Sequence, residues 1–498
     1  MKKWILLSIF ISAALIAVAF VSGTFFQKNR DEKQRAAQLS ALRGQNEKRE
    51  ELIDRPWINV VPGTTRDMLS ADYWKTGSDD ELLFTEEEIR EYQYNNPLYV
   101  AYFDKPAGRT LKLRMYDLPD EIGGHAVNAL IDEKYIDECS DGTVTLYVNG
   151  QLKGIDYWDS IRSNCAFDMI PETVIPKYCV CVKRDLAMII PTEDFASEDK
   201  DEIYCNDFIS AEVMPLSGVV SLHESRDNKW CYIINGSYCG WVKKDCLAFC
   251  KDRDQWISAI RPEDFLTVTA CDLTLDETAL PTRTEKIVLP MGTKVKLLHG
   301  YDGLVNGRKP YNCYVTEVPC RDQYGALDWE KVLIPLSEDV TVGNLSMTSD
   351  AVIDQAFKFL GKPYGYGGSF SSNDCSGMIR QIYACFGFEL PRNSAAIAQL
   401  FDLGGRDFSG MASDKKLDII KRMPAGTLLF MEGHLMIYLG TSYNKPYVIS
   451  SCATFIEPGD NTGTLVGAYG VFVSNLEMLR KDGNTWLESM RLFQWKDY

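Results

Sequence analysis

KPYGYGGSFSSNDCSG, running from Lys362 to Gly377, separates two helix patterns and sets a cysteine at the start of the second. Upstream of it Val352, Ile353, Ala356, Phe357 and Leu360 recur at i, i+1, i+4, i+5 and i+8, the spacing of one buried helix face, and Ser349 is a fitting cap. Gly361 and Pro363 stop that helix in the usual order. Downstream, the Asp374 side chain can accept from the open backbone donors of a helix N-terminus, which places Cys375 in the first turn. Cys375, Met378, Ile379, Ile382, Tyr383 and Phe386 then form one stripe, so the thiol points toward whatever sheet the helix packs on. The helix dipole and the N–H groups of the first turn are expected to favour thiolate there. Cys385 lies near the opposite end of the helix, where the dipole opposes ionisation and Gly387 ends the turn, and it reads as structural.

A lone helix cysteine is more often a small buried hydrophobe than a nucleophile, so a base is needed before chemistry is assigned. The chain has four histidines, at 125, 223, 299 and 434. His434 alone follows residue 299, and it comes directly after Glu432-Gly433, a turn between the apolar runs TLLFM and LMIYLG. On a strand facing the helix tip, its imidazole could take the thiol proton and later protonate an amine leaving group.

At these residues the sequence resembles the NlpC family of papain-like cell-wall peptidases, the NlpC and p-sixty superfamily. NDCSG at 373–377 is similar to its nucleophile motif, PYGYGG at 363–368 to the preceding loop, and GHLMIYLG at 433–440 to its histidine strand. LPRNS at 390–394, followed by Gln399, is similar to the segment after the nucleophile helix. The resemblance implies hydrolysis of peptidoglycan stem peptides between D-glutamate and a diamino acid, through a thioester and with no metal or cofactor. It implies Cys375 as nucleophile, His434 as base and Tyr364 as a loop tyrosine that supports the oxyanion. It also implies Asp374, Arg392 and Ser394 as holders of the peptide's amino end and glutamate carboxylate, a task that suits the planar donors of an arginine. The family's third catalytic residue, usually His and sometimes Asn or Gln, aligns with Ser450 in KPYVISS, and Asn393 stands where relatives often carry Asp. A serine has a short reach and stabilises imidazolium less than a larger polar partner, so the alternative reading is a catalytically weakened or inactive wall-binding scaffold. An amidase or acyltransferase on the same fold stays open, because fold analogy does not fix the bond attacked.

Working outward, MPLSGVVSLH at 214–223 and LPMGTKVKLLH at 289–299 form a repeat, with Asn235-Gly236 and Asn306-Gly307 as hairpin signals beside short alternating strands. Both copies resemble bacterial SH3-like domains, most clearly at GWVKKDCLAF, which ends at Phe249. His223 and His299 hold equivalent strand-end places and read as structural. The expected architecture is α+β: a papain-like peptidase domain at 346–498, SH3-like barrels at 176–252 and 253–345, and a mainly helical stabilising domain at 56–175. That last domain includes a helix around His125 to Tyr135.

A charged linker, 27–55, precedes it. Residues 1–26, with Lys2, Lys3 and the apolar run Trp4 to Phe26, read as a signal peptide or a membrane anchor, so the chain is expected outside the cytoplasm, in the periplasm or cell envelope, with a possible tether through residues 4–26. At 498 residues the chain exceeds one hydrophobic core, and a net charge of -17 repels phosphate backbones and excludes nucleic acid as a partner. The 15 cysteines include no C-x-x-C pair, which disfavours a structural zinc site.

Overall fold

The computed structural model describes residues 58–77, 81–95, 99–104, 109–131, 133–401, 408–460 and 462–491. The expected export segment and linker lie outside the described residues, and no helix among those described is long and apolar enough to cross a membrane. The chain divides into two units, of which the smaller carries two short 3-10 turns, Asp67–Leu69 and Ala71–Tyr73. Everything that follows belongs to the larger unit, 61–64 and 74–498.

The N-terminal part contributes helices α1 (Glu86–Asn95), α2 (Gly124–Leu130), α3 (Glu133–Ser140) and α4 (Ile155–Cys165), together with short strand pairs. The single helix expected around His125 to Tyr135 is therefore two. Ile131 adopts an extended conformation at the C-cap of α2 and breaks the helical run. Helices α2 to α4 bury Val127, Ile136 and Trp158 in the same cluster as Val220, Tyr232 and Trp241 of the sheet beside them.

That sheet has seven antiparallel strands: β1 (Lys177–Cys181), β2 (Asp185–Met188), β3 (Ile209–Val213), β4 (Gly218–Glu224), β5 (Trp230–Ile234), β6 (Cys239–Lys243) and β7 (Leu247–Phe249). Their spatial order is β3-β2-β6-β5-β4-β1-β7. The β5–β6 hairpin pairs Ile234 with Cys239, so its tip is Gly236-Ser237, one residue beyond the expected Asn235-Gly236. Asn235 instead ties the hairpin to β4 by donating to the Gly218 carbonyl at 2.9 Å. After helix α5 (Arg253–Ile260) comes a five-stranded sheet of β8 (Phe265–Val268), β9 (Lys294–Leu297), β10 (Cys313–Arg321), β11 (Leu327–Pro335) and β12 (Val340–Val342), in the order β11-β10-β9-β8-β12. Here Asn306 and Gly307 both take positive φ, 49° and 79°, the backbone that the pair favours in a tight turn. The sequence repeat thus falls one copy to each sheet.

The C-terminal part follows the helix–loop–helix reading closely. Helix α6 (Ser349–Phe357) is capped by the Thr348 hydroxyl, one residue before the expected Ser349, and α7 (Cys375–Ala384) by Asp374. Helices α8 (Ser394–Phe401) and α9 (Ser413–Ile420) lead to a four-stranded antiparallel sheet of β13 (Leu428–Met431), β14 (His434–Ser442), β15 (Lys445–Ile456) and β16 (Leu465–Asn475), in sequence order. Met431 pairs with His434, so Glu432-Gly433 is the tight turn, with Gly433 at φ 78°. Helix α7 lies on β14 and β15 with Met378, Ile379, Ile382 and Tyr383 fully buried. Its far end packs on the five-stranded sheet: a Cβ on Gly292 would lie 2.5 Å from Ala384 Cβ, and the Cys385 sulfur donates to the Val268 carbonyl at 3.6 Å. Cys385 is structural, as its position implied. The N-terminal part closes onto this region through Leu82–Phe84, which pairs with Met347–Thr348 at the head of α6.

Candidate active site

Asp374 sets the geometry. As N-cap of α7 its Oδ1 accepts from the Gly377 amide at 2.7 Å and from the Ser376 hydroxyl at 3.1 Å, while Oδ2 accepts from the Gly367 amide at 3.0 Å. Arg392 grips the same carboxylate with both terminal nitrogens, at 3.0 and 2.7 Å, and also donates to the Ser376 hydroxyl at 3.0 Å. Burial alone would raise the Asp374 carboxyl, but the Arg392 charge and these bonds hold it below its ordinary value. Burial likewise opposes the Arg392 charge, and Asp374 outweighs it, so the guanidinium is held more firmly protonated. The two residues expected to hold a substrate's ends thus hold each other and the helix tip. Ser394 begins α8 and is half-buried; Asn393, the departure from the family pattern, caps that helix by accepting from the Ala396 amide at 2.8 Å.

Cys375 is the first residue of α7 and 8% exposed. Burial first, and then the Asp374 charge, push its thiol up to about 12; the Leu435 amide, Arg392 and the Ser376 amide pull the other way and lose. The expected resting thiolate is therefore replaced by a neutral thiol. A helix terminus contributes ~0.3–1 kcal/mol, which desolvation of a buried anion exceeds. The helix that Cys375 begins lies on β14, whose first residue is His434, also 8% exposed.

The imidazole Nε2 lies 3.1 Å from the hydroxyl of Ser450, a fully buried residue on β15, and the Trp486 ring packs edge-on at 5.3 Å. Burial, and then the Arg480 charge, lower the His434 pKa to about 4, so the ring is neutral at rest. With Nε2 taken by Ser450, Nδ1 is the nitrogen available to a thiol proton. Ser451 serves a separate purpose, donating to the Asn373 carbonyl at 2.7 Å and fixing the approach to the nucleophile. Tyr364 is half-buried, donates its amide to the Tyr469 carbonyl at 2.8 Å and bridges to Asn373. Burial first raises its phenol, so the hydroxyl keeps its proton and can donate.

Asp374 and Arg392 thus share the helix tip that Cys375 begins, Tyr364 bridges to the Asn373 that precedes it, and His434 meets Ser450 on the sheet beneath that helix. His223 and His299 lie elsewhere: His223 Nε2 is 2.9 Å from the Cys165 carbonyl, and the largely exposed His299 is 3.4 Å from Asp264. Among the described residues no cluster could hold a metal ion. Two contributors carried no motif, Arg184 before β2 and Glu212 on β3. Arg184 donates to the carbonyls of Ser371 and Ser372 in the loop that leads to Cys375.

A cysteine at the tip of a helix that packs on a strand headed by a histidine is the arrangement of a cysteine peptidase domain. Residues 361–447 match the family model described as NlpC/P60 family, and the chain carries an NlpC/P60 domain at its C-terminus. Among solved structures it is similar to an NlpC/P60 endopeptidase from Photobacterium damselae subsp. piscicida, at 14% identity, covering 87% of this chain and 98% of that one, with a TM-score of 0.63. That likeness extends the shared fold well beyond the matched segment. An NlpC/P60 family protein from Bacillus cereus is similar at 16% identity and TM-score 0.40, covering 57% of this chain and 81% of that one. NlpC2 from Trichomonas vaginalis is similar at 14% and 0.23, covering 64% and 98%. No curated protein matches the chain.

Proposed function

We propose that the chain is an exported cysteine endopeptidase that hydrolyses peptidoglycan stem peptides, at the bond between D-glutamate and the diamino acid. The observation that carries this reading is Cys375 at the tip of α7, packed on the strand that His434 heads, with His434 Nε2 bonded to Ser450 at 3.1 Å. The NlpC/P60 match over 361–447 supports the substrate class, and the apolar run Trp4 to Phe26 supports export and a possible membrane tether.

Both reacting groups start neutral, so the thiol proton moves to His434 Nδ1 as sulfur bonds to the scissile carbonyl carbon, while Nε2–H donates to Ser450. The Tyr364 hydroxyl and open amides of the first turn of α7 receive the oxyanion. Collapse breaks the C–N bond, the imidazolium protonates the departing amine, and a thioester remains on Cys375. Water then attacks it, giving a proton to His434, and release of the carboxylic acid returns the thiol. Asp374 and Arg392 act by holding the helix tip, with Ser394 left to meet substrate.

A second reading, a wall-binding scaffold with little turnover, is favoured by Ser450 in the orienting position and by a thiol pushed up to about 12. Mass spectrometry of tripeptide and tetrapeptide stem fragments incubated with wild type and Cys375→Ala separates the two. Cleavage at the D-glutamyl bond by wild type alone is expected. Equal cleavage by both proteins defeats the assignment of Cys375; retention on insoluble peptidoglycan without product selects the scaffold.

A further inference from the structure

The loop that delivers Cys375 is built against a different part of the chain. Gly367 and Gly368 take φ 61° and 98°, which glycine adopts freely, and Phe370 and Ser371 take φ 57° and 51°, where a side chain makes the backbone strained. Left-handed backbone at two consecutive side-chain-bearing residues holds only where the surroundings over-determine it. Those surroundings belong to the seven-stranded sheet. A Cβ on Gly367 would lie 2.4 Å from Ile209 Cγ2, and one on Gly368 2.3 Å from Glu212 Cβ, so β3 touches the loop backbone directly.

At the far end of the strained run, Arg184 donates Nη1 to the Ser371 carbonyl at 2.6 Å and Nη2 to the Ser372 carbonyl at 2.8 Å. The same guanidinium is anchored on Glu212 Oε2, at 2.6 Å from Nη2 and 3.1 Å from Nε. Glu212 is 1% exposed, and its other oxygen, Oε1, is buried without a hydrogen-bond partner. That oxygen looks onto the helix tip: a Cβ on Gly377 would lie 3.5 Å from it. Arg392 feels the Glu212 charge, so charges alternate in the order Arg184, Glu212, Arg392, Asp374 from the sheet to the cap of α7.

We propose that Arg184 and Glu212 are positioning residues for Cys375, which makes the seven-stranded sheet part of the catalytic apparatus rather than a spacer or a wall-binding appendage. Arg184 fixes the two carbonyls that precede Asn373, Asp374 and Cys375, and a fork-shaped donor is needed because the two oxygens are gripped at once. Glu212 keeps that fork in place and adds the negative charge that retains Arg392 on the helix cap. Neither touches substrate; both act through the placement of the sulfur. The inference rests on the peptidase reading for its kinetic consequence, but not for its geometry.

The test uses the full chain and three variants: Arg184→Lys, Glu212→Gln, and the charge-neutral pair Arg184→Met with Glu212→Gln. Two quantities are read at a temperature where each is folded: kcat and KM on a stem tripeptide, and the iodoacetamide alkylation rate of Cys375, resolved from the other cysteines by peptide mass spectrometry. Because a shift of about 1 Å at a reacting atom costs on the order of 10²-fold, the paired variant is expected to lose at least about tenfold in kcat with KM within about twofold. Its Cys375 alkylation rate changes in parallel. Arg184→Lys retains the charge but only one carbonyl contact, and falls between the pair and wild type. A purely structural role would lower the melting temperature and leave kcat and alkylation alone, and that result overturns the proposal. Should the paired variant not fold, Arg184→Lys decides: wild-type kcat and alkylation in it refute positioning. If wild type itself shows no hydrolysis, the peptidase reading fails, while the alkylation comparison still decides the inference.

Discussion

Replacing Ser450 by alanine removes one oxygen from a fully buried place, and that oxygen is the His434 Nε2 partner at 3.1 Å. In the resting enzyme the bond joins two neutral groups, worth ~0.5–1.5 kcal/mol, and as Nδ1 takes the thiol proton it becomes a bond to a charged donor, worth ~1.5–3 kcal/mol. Only the difference, ~1–1.5 kcal/mol, appears in the chemical step, and at 1.36 kcal/mol per factor of ten it lowers kcat roughly tenfold. KM stays put, because Ser450 meets the imidazole and not the peptide. Steady-state hydrolysis of a stem tripeptide by the full chain, followed by mass spectrometry, measures both. A kcat within about twofold of wild type would show that Ser450 does not orient the ring, and the triad-like account of the site would fall with it. Histidine at 450 is no repair: the position is fully buried, and a small-to-large change there costs ~1–3 kcal/mol in overpacking.

Asp374→Ala leaves the nearly buried Arg392 guanidinium without its carboxylate and uncaps α7; a loss of ~3–5 kcal/mol is expected, read as a lower denaturant midpoint at unchanged m-value. Stability should also fall in acid. The His434 pKa drops from 6.5 to about 4 on folding, so the unfolded chain binds a proton that the native one refuses. Stability present above pH 6.5 then declines by ~3 kcal/mol down to pH 4. Asp374, depressed in the fold, holds its contribution above the unfolded carboxylate value and loses it as pH drops through the lower native one. Denaturant titrations across pH 3–8 check the window, and a flat profile between 6.5 and 4 contradicts a buried neutral imidazole. With its thiol pushed up to about 12, Cys375 alkylation in the resting enzyme should keep climbing with pH through 9; a plateau below pH 7 would reveal an ion pair instead. Gly368→Ala pushes a methyl to within 2.3 Å of Glu212 Cβ at φ 98°, and a destabilisation of ~1–3 kcal/mol or more is expected from thermal melts.

The nucleophile helix was legible because its cap, its stripe and its terminator are all local: Asp374, the run Met378 to Phe386, and Gly387 lie within a few turns of one another. His434 was legible through scarcity and through the Glu432-Gly433 turn, and Ser450 through alignment with the family's strand. What the sequence hid falls into two kinds. Arg184 reaches the loop across 187 residues and Glu212 from a strand also far back in the chain, and only glycines at 367 and 368, which permit backbone to lie against β3, hint that a neighbour is there. The protonation of Cys375 escapes local pattern for an energetic reason: the pattern reports the helix dipole but not the depth of burial, and burial outweighs the dipole. The break at Ile131 and the one-residue shift of the β5–β6 tip belong to the same class, where tertiary context overrides a turn preference.

The pairing of Leu82–Phe84 with Met347–Thr348 joins segments separated by over half the chain. During synthesis from the N-terminus, the early strand must wait, its backbone edge open, until both intervening sheets have emerged from the ribosome. Non-local closure of this kind is slow, and an edge kept waiting invites pairing with a neighbouring nascent chain. A fragment starting at 346 keeps Phe388 but lacks Phe84, which meets that ring edge-on at 5.5 Å. Such a fragment would display an apolar face and a vacant strand edge, and its poor solubility would be mistaken for a fault of the hydrolase rather than of the cut.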